Sequence, residues 1–583
     1  MLSQNQFTEN LVEELPRTKR HSPHNHKTTG NTGELIPIYA KEILPHDYIQ
    51  MNLRSLIKMT TPITQTMDNL FCDVFFFFVP RRLTWNHWKE FQGEKKGPPR
   101  EERPEYTIPT TSAPVEVRYL IAQNVTATTT GTFYKKENNG TYTAVTLPAG
   151  YQEGTIYYKA VQGWAQGTIA DHLGIKTNTA NIPKIDSAYF RGPVLIWNEW
   201  FRDQQRQEEA DFTDDDVNVE GSNGDNYITD ALLGGKCLPV NKIHDYFTST
   251  LLSAQDGPAI SLPLGTTAEI KLTPNSEGQR LRDSDGNPIW DSNGKLGYTS
   301  NGGILYNYET TAGVLLDPNG TLKTDLSNAT AATIAQLRMA FALQRIAENN
   351  ARSGTRYTEI LANRWGVTPP DASLQRPEYL GGKRIPININ MVVQTSSTDT
   401  TSPLGNTAGF AHTQDEDLMF SKGFEEHGIL FGFACVRHQR TYQDGVHKKF
   451  TRRDPEDFYM PEFAHLGEQP VYNYEIFASG DEQVDNEVFG YQEYGAEYRF
   501  EQNQVTGQFR SDAENSLDTW HYADDYESTP VNNEEWIIEN PNAVDRTLTI
   551  ERSIQDQFQF DFYFDEIDVR SMPAHSIPGM MRM

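Results

Sequence analysis

Cysteine is nearly missing from this sequence of 583 residues. Cys72, Cys237 and Cys435 lie far apart in the chain and form no CxxC pair. So few thiols exclude a disulfide-stapled scaffold and a cysteine-rich zinc site, and they fit synthesis in a reducing cytosol.

Long apolar segments are missing as well. No run approaches the roughly 18 apolar residues of a membrane-spanning helix. The first residues, MLSQNQFTENLVEELPRTKRHSPH, contain no apolar segment of the kind that a secretory signal needs. We therefore expect neither membrane insertion nor a secretory signal.

Signatures of catalysis are also lacking, since Walker, GxGxxG, GxSxG and HExxH motifs do not occur. Glu199 and Asp203 stand beside Trp197 and Trp200, as the paired carboxylates and sugar-stacking rings of a glycosidase would. Their spacing predicts one helical face opposite the tryptophans, which suits a solvent-exposed salt-bridge cluster. We predict that the protein is not an enzyme and has no cofactor.

Positive charge is in short supply. The chain has 51 Lys and Arg against 79 Asp and Glu, which gives a net charge of -28 and a pI near 4.9. Such a surface repels nucleic acid, so contact with DNA requires a local basic region or a basic partner. Two basic regions occur, residues 16–33 and 436–453, although a basic run is often only a solvated face. Their candidate DNA-contacting residues are Arg17, Lys19, Arg20, Lys27, Arg437, Arg440, Lys448, Lys449, Arg452 and Arg453.

An acidic loop at residues 208–226 could hold a hard cation, because such ions prefer carboxylate oxygens. Solvated carboxylates are the simpler explanation, and we predict no metal site. The weak candidates are Asp211, Asp214, Asp215 and Asp216.

The strongest local pattern is FCDVFFFFVP, residues 71–80. A strand that is apolar on both faces belongs between two layers of protein, and its final proline cannot donate to a sheet. The spacing of Trp85, Trp88 and Phe91 predicts an amphipathic helix capped by Thr84.

Further elements are predicted along the chain. Alternating phenylalanines in FQFDFYFDEIDV predict a strand over 558–569 with one buried face. One helix is predicted to start after Pro193 and another to cover Ala331–Arg352, while Asn-Gly at 139–140 predicts a hairpin. Because strong strands lie near both ends, we expect one large antiparallel domain with long insertions.

Composition divides the chain into two predicted parts, an N-terminal arm over 1–66 that is basic at 16–33, and a folded domain over 67–583. Within the domain, 107–162 is a β-rich insertion. The segment 262–332 is hydrophilic and rich in turns, supplies few core residues, and is therefore expected at the surface.

Six motifs, spread in order over nearly the whole chain, resemble the major capsid protein of the microviruses (Microviridae), in particular the gokushovirus branch. Their number and order make the resemblance very specific. The motifs are GELIPIYAKEILPHDYIQMNL (33–53), TPITQTMDNLFCDVFFFFVPRRLTWNHWKEFQGE (61–94), LIWNEWFRDQ (195–204), GTRYTEILANRWGV (354–367), PDASLQRPEYLGG (370–382) and MPEFAHLGEQPVYNYEIF (460–477).

The resemblance implies a mainly β fold, a single viral jelly roll whose eight antiparallel strands form two sheets, with long loop insertions and a few helices. It implies a structural protein of a bacteriophage virion, made and assembled in the bacterial host cytoplasm. Copies of the chain would form a small T=1 icosahedral shell around circular single-stranded DNA. A small basic internal viral protein and a host surface receptor are further implied partners.

Gokushovirus capsid proteins carry a long surface insertion that clusters at the three-fold axes, and 262–332 occupies its place in this chain. The β-rich material at 107–162 departs from the family pattern, so either insertion is a candidate for the outer protrusion that attaches to the host. The alternative from another class is a secreted β-sandwich that binds or degrades polysaccharide. That protein would need a signal peptide and would be a monomer.

Overall fold

The computed structural model describes residues 17–94, 105–257, 334–388, 413–465 and 467–575, together with short strands inside 270–324 and 392–409. The chain forms two compact units. The first comprises residues 1–254 and 355–583, and the second comprises residues 255–354.

Strands are the main regular structure of the described residues. The chain begins with β1 (Thr18–His21), β2 (His24–Gly30), β3 (Ile36–Ile43), β4 (Tyr48–Met59) and β5 (Leu70–Pro80). Shorter strands follow in the insertions, namely β6 (Thr110–Ser112), β7 (Arg118–Ile121), β8 (Gly131–Lys136), β9 (Tyr142–Leu147), β10 (Tyr157–Val161), β11 (Ile185–Asp186), β12 (Val219–Glu220), β13 (Ile270–Leu272), β14 (Arg282–Asp283), β15 (Val314–Leu315) and β16 (Leu322–Thr324). The C-terminal part adds β17 (Glu378–Ile387), β18 (Val392–Val393), β19 (Thr407–Gly409), β20 (Thr413–Gly423), β21 (Gly428–His438), β22 (Glu468–Tyr472), β23 (Val488–Glu493) and β24 (Phe558–Arg570).

Most helices are single turns inside the connections between strands. They are α1 (Arg81–Thr84), α2 (Trp88–Phe91), α3 (Ile169–His172), α4 (Ala188–Ile196), α5 (Tyr227–Asp230), α6 (Ile334–Ser353), α7 (Tyr357–Trp365), α8 (Asp371–Leu374), α9 (Asn473–Ile476), α10 (Glu482–Asp485), α11 (Glu534–Ile537) and α12 (Asn542–Asp545). Among the helices that the structure describes, none combines the length and the apolar character of a membrane span.

Two antiparallel sheets face each other. The first has the order β1/β2–β24–β4–β20, in which β1 and β2 pair with successive parts of β24 and so share one edge position. The second has the order β17–β5–β21–β3. Eight strand positions arranged in two sheets with these long connections form a jelly roll, and the predicted fold class is confirmed.

The main core lies between the two sheets. Alternate residues of β24 point into it, so that Phe558, Phe560, Phe562 and Phe564 are almost fully buried. The predicted strand with one buried face is therefore confirmed. Every second residue of β5 enters the same core from the opposite sheet: Leu70, Cys72, Val74, Phe76 and Phe78.

The other face of β5 belongs to a second core. Phe75, Phe77 and Val79 pack there with side chains from β21, from α4 and from the π-helical turn Trp197–Phe201. The ring centroid of Phe77 is 5.7 Å from that of Trp200. The prediction that this strand lies between two layers of protein is confirmed.

Helix α4 begins at Ala188 rather than after Pro193, so the predicted start was wrong. The backbone carbonyl of Ser187 accepts hydrogen bonds from the N–H groups of Phe190 and Arg191, which starts the helix earlier. A proline inside a helix removes one internal hydrogen bond, and the packing of α4 against β21 outweighs that loss.

The predicted shared helical face of Glu199 and Asp203 is also wrong. The π-helical turn that follows α4 ends at Phe201, so Asp203 lies beyond the helix. The Asp203 carboxylate instead pairs with Arg206 at 2.9 Å.

The tryptophan cluster after β5 forms, but its helix is placed differently from the prediction. Thr84 ends α1, and its hydroxyl donates to the carbonyl of Arg81 at 2.9 Å instead of capping a helix that follows. The reason is that the chain already turns helical directly after the strand. The rings of Trp85, Trp88 and Phe91 still contact one another, with centroids 5.5–6.5 Å apart.

The folded domain begins well before residue 67, which corrects the predicted extent of the arm. Strands β1–β4 all precede that residue, and β4 lies between β24 and β20 with Ile49, Met51, Leu53 and Ile57 buried. Their alternation with polar residues is the signal of a half-buried strand. The two strongest predicted strands do not pair; β5 and β24 face each other across the core.

The β-rich insertion at 107–162 builds a sheet of its own in the order β7–β10–β8–β9. The Asn-Gly turn joins β8 to β9, so the predicted hairpin is confirmed. Phe133, Leu147 and Tyr157 form a small hydrophobic cluster on this sheet.

Of the segment 262–332, only the backbone of β13–β16 is described, and its other residues lie outside the described part of the chain. The pairs are β13 with β16 and β14 with β15. Helix α6 extends over Ile334–Ser353, close to the predicted bounds. Phe341 and Ile346 of this helix are exposed.

Replacing Phe562 by Ala should lower the free energy of unfolding by about 3–5 kcal/mol, because a fully buried ring would leave a cavity between the sheets. The matched control is Tyr563→Ala on the opposite face of β24, for which we expect a loss of roughly 1 kcal/mol. Urea unfolding of the unassembled chain, followed by tryptophan fluorescence, measures both losses. Equal losses would contradict the inward direction of Phe562.

Candidate nucleic-acid and assembly surfaces

The first basic region, residues 16–33, contains the edge strands β1 and β2 of the first sheet. Lys27 stands opposite Asp561 of β24, whose neighbours along the strand point into the core, so both side chains face outward. Lys27 Nζ lies 2.8 Å from Asp561 Oδ2, and the lysine side chain remains 69% exposed. The hydrogen bond from Lys27 lowers the pKa of the Asp561 carboxyl. Lys19 is exposed on the same face, opposite Val569.

The two arginines of this region hold the backbone of neighbouring segments. Arg17 Nη2 donates to the carbonyl of His46 at 2.8 Å, and Arg20 Nη2 donates to the carbonyl of Pro573 at 3.2 Å. Backbone carbonyls carry no full charge, so both guanidinium groups keep their positive charge uncompensated by these contacts.

The outward face of the first sheet is polar, and its charges are paired. Arg54 of β4 lies 2.8 Å from Glu416 of β20 and 5.6 Å from the ring centroid of Tyr563. Together with the pair of Lys27 and Asp561, this balances positive and negative charge across the sheet. The partners in each of these two pairs therefore neutralise each other's charge on this face.

The second basic region, 436–453, divides into a buried half and an exposed half. In the buried half, Arg437 of β21 pairs with Asp73 of β5, and Arg384 Nε lies 2.7 Å from the same carboxylate. Burial alone would raise the pKa of Asp73, but hydrogen bonds and charge from the two arginines hold it below its usual value. The charge of Arg437 is therefore compensated within the sheet.

Arg440 is fully buried in an ionic cluster. It lies 2.7 Å from Asp524 and 2.7 Å from Glu539, whose other oxygen is 2.6 Å from His438 Nδ1, and Lys242 lies 3.7 Å from Asp524. Burial alone would raise the pKa of Glu539, but the charges of Arg440 and His438 lower it to about 2. For the Lys242 ammonium, burial acts in the opposite direction and lowers the pKa to about 8.

Arg440 is thus a structural residue, and the prediction that it contacts DNA is wrong. DNA contact by Arg437 stays a prediction, since its side chain is 17% exposed, although its charge is compensated by Asp73. Arg437 lies within β21, whereas Arg440 follows the strand and is enclosed beside Asp524 and Glu539. A guanidinium without exposed surface cannot reach a phosphate.

The exposed half of the region lies at the surface beside several aromatic rings. Lys448, Lys449 and Arg453 are exposed or half-exposed, and Arg452 packs between two rings. The rings are exposed to an extent that is unusual for aromatic side chains. Their exposed fractions are Phe450 72%, Phe458 51%, Tyr459 44%, Tyr498 52% and Phe500 46%. These five rings and four cations are named the aromatic-basic patch.

The acidic loop is partly absorbed into the structure. Asp215 Oδ1 accepts a hydrogen bond from Arg191 Nη2 at 3.2 Å, and Asp216 Oδ1 accepts one from the indole N–H of Trp85 at 2.6 Å. Within the described residues, no group of three or more His, Cys, Asp and Glu could hold a metal ion. The other two candidates, Asp211 and Asp214, make backbone hydrogen bonds to neighbouring segments.

Comparison with known proteins agrees with the jelly roll. A family model described as "Capsid protein (F protein)" matches residues 11–127 and 158–580. The chain belongs to this capsid protein family. It is 37% identical to capsid protein VP1 of Spiroplasma virus 4 over 98% of this chain and 96% of that protein. It is 36% identical to VP1 of Bdellovibrio phage phiMH2K over 97% of this chain and 95% of that protein. It is 32% identical to VP1 of Chlamydia phage 1 over 99% of this chain and 98% of that protein.

These relatives place the capsid protein in the gokushovirus branch of the microviruses, as the sequence motifs predicted. It is a structural protein of a bacteriophage virion that assembles with copies of itself, and it is not an enzyme. The match supports this prediction over the alternative of a secreted polysaccharide-binding or polysaccharide-degrading protein.

The family match skips residues 128–157, which contain the hairpin of β8 and β9. The departure from the family pattern predicted at 107–162 therefore has its centre in this hairpin. Because the hairpin has its own hydrophobic cluster, it adds a surface element without changing the jelly roll.

Sequence reasoning found the cations of the capsid protein but missed the rings beside them. Phe450 stands inside the basic run HKKFTRR and could have been noticed there. Tyr498 is distant in sequence, and only the fold brings it to Arg452, whose Cζ lies 4.3 Å from its ring centroid.

Replacing Arg440 by Leu should lower the free energy of unfolding of the capsid protein by about 3–5 kcal/mol, because Asp524 and Glu539 would remain buried without a partner. The matched control, Arg54→Leu, removes an exposed pair and should cost at most about 1 kcal/mol. Urea unfolding of the unassembled chain measures both values. If Arg440→Leu left stability unchanged and reduced DNA binding instead, the structural role would be disproved.

Proposed function

We propose that this capsid protein forms a small T=1 icosahedral shell that encloses circular single-stranded DNA. The observation that carries the proposal is one complete jelly roll per chain, matched over at least 95% of the length of three phage capsid proteins. Assembly takes place in the bacterial host cytoplasm. Acidic subunits repel each other, so buried apolar and aromatic surface must provide the driving force for closing the shell.

The acidic chain must present positive charge on the interior surface of the shell. A net charge of -28 repels DNA, so the genome must meet local positive charge. In this proposal Arg17, Lys19, Arg20 and Lys27 lie on the interior and contact phosphates. A small basic internal viral protein supplies the remaining neutralisation.

Host attachment is assigned in this proposal to a surface insertion, for which two candidates exist. The segment 262–332 is hydrophilic and occupies the position of the gokushovirus insertion, and 128–157 is an extra hairpin that the family match skips. Loops on a rigid scaffold commonly carry recognition, which supports both candidates. The partner is a host surface receptor.

Electron microscopy of the purified full-length protein tests the shell directly. We expect closed particles with icosahedral symmetry. A T=1 shell of this symmetry contains about 60 identical copies of the chain. Particles from infected cells should also protect circular single-stranded DNA from nuclease. Light scattering that showed only monomers at all concentrations and salt conditions would contradict the proposal.

Replacing Arg17, Lys19, Arg20 and Lys27 together by Gln should leave shells assembling but reduce the DNA retained in each particle. Phosphate contacts are independent of sequence and sensitive to salt, so the retained DNA should also be released at lower salt. The control changes four other lysines to Gln and alters net charge equally: Lys136, Lys159, Lys176 and Lys184. Normal DNA content in the first variant would show that these residues only hold the edge strand in place.

A further inference from the structure

The turn that follows His447 carries an unusual combination of exposed side chains. Its sequence, HKKFTRR, places four cations around one phenylalanine. Phe450 is 72% exposed, although a ring of this size is normally buried. The ammonium of Lys449 lies 5.4 Å from its ring centroid. The chain therefore presents a largely exposed aromatic ring inside a run of positive charge.

The neighbouring rings are held in place by Arg452. Its Cζ lies 5.5 Å from the ring centroid of Phe458 and 4.3 Å from that of Tyr498, and its Nη2 lies 3.3 Å from Glu497. The guanidinium is thereby fixed between two rings that are each about half exposed. Rings fixed in this way lose little conformational entropy when a flat ligand stacks on them.

Tyr459 extends the same surface. Gly495 has a φ of +75°, and a Cβ added there would lie 2.8 Å from the Tyr459 ring, so the glycine allows the ring to lie against the backbone. Tyr459 also contacts Tyr498, with ring centroids 6.2 Å apart. Phe458, Tyr498 and Tyr459 are thus joined through Arg452 and through the contact between the two tyrosine rings.

The acidic side chains beside the turn engage only part of its charge: Glu497 pairs with Arg452, and Asp457 binds mainly backbone N–H groups. Asp457 Oδ2 accepts hydrogen bonds from the backbone N–H groups of Arg453 and Asp454, at 2.8 and 3.0 Å. These bonds to the backbone N–H groups lower the pKa of Asp457. Lys448 acts on Asp457 only through its charge and is half-exposed, while Lys449 is exposed.

We propose that the aromatic-basic patch binds single-stranded DNA by stacking bases on its exposed rings while its lysines and Arg453 contact phosphates. This proposal rests on the enclosure of single-stranded DNA proposed above and gives it a specific contact surface. Unpaired bases expose the faces that rings such as Phe450 and Tyr498 can stack on, whereas a duplex hides them. A patch of the same rings without lysines would suit contact with a second copy of the chain. The lysines favour DNA, because lysine is depleted at the core of protein interfaces.

The test is the affinity of the unassembled full-length chain for a fluorescent oligothymidine of about 20 nucleotides, a length that exceeds the site size of known single-strand binders. Phe450→Ala should weaken binding by about 5- to 150-fold, the effect of losing one stacked base. Phe450→Trp should restore it. The matched control is Phe341→Ala, at a phenylalanine that is 67% exposed, which should leave affinity unchanged.

A second pair of measurements separates stacking from charge. Lys448→Gln with Lys449→Gln should reduce the slope of log affinity against log salt by about 1.4, from roughly 0.7 for each phosphate contact on a single strand. Phe450→Ala should leave that slope unchanged. A duplex of the same length should bind wild type and Phe450→Ala equally and weakly, because Phe450 cannot stack on paired bases.

Wild-type affinity in the Phe450→Ala variant would overturn the proposal, and so would an equal loss for single-stranded and duplex DNA. If Phe450→Ala abolished assembly and left DNA affinity intact, the patch would be a contact between copies of the chain. If the capsid protein does not enclose single-stranded DNA at all, the result is different. The wild-type protein itself would then neither bind nor retain single-stranded DNA. Circular dichroism of each variant confirms that the fold is retained.

Discussion

The need to bury both faces of β5 and β21 governs the arrangement of the rest of the molecule. Phe76 and Phe78 point to the core between the sheets, while Phe75 and Phe77 point to the other side, where water would otherwise meet them. A strand of this kind is stable only between two layers. The segment between β5 and β17 supplies the second layer, and Gly192 brings α4 so close that a Cβ there would lie 2.4 Å from the Phe431 ring.

The same constraint separates the charges of the protein. Where the segment 439–557 closes over the end of β21, the cations of that strand end are enclosed and must be paired, as Arg440 is with Asp524 and Glu539. A few residues later the chain returns to the surface, and Lys448 and Lys449 are accessible. One basic run therefore serves stability in its first half and is available to a partner in its second half.

The local sequence pattern predicted strands correctly where the strand has its own periodicity of apolar residues. The alternation in β24 and the two-sided apolar character of β5 predicted both strands within a residue or two of their observed bounds. Helix starts were less accurate, because the start of α4 depends on the carbonyl of Ser187 and not on the conspicuous Pro193. Strands β1 and β2, TKRH and HNHKTTG, have almost no apolar residues, and their pairing follows from the free edge of β24.

The sequence by itself determined the capsid family, the mainly β class and the presence of a core strand apolar on both faces, since family motifs and hydrophobic periodicity are properties of neighbouring residues. It also identified the basic residues of both regions. Only the tertiary structure decided which of them remain available, because Arg437 is paired with Asp73 and Arg440 is buried beside Asp524 and Glu539, and these acids are far away along the chain. The assembly of Phe450, Arg452 and Tyr498 into one surface was decided in the same way, by contacts between segments that no local pattern connects.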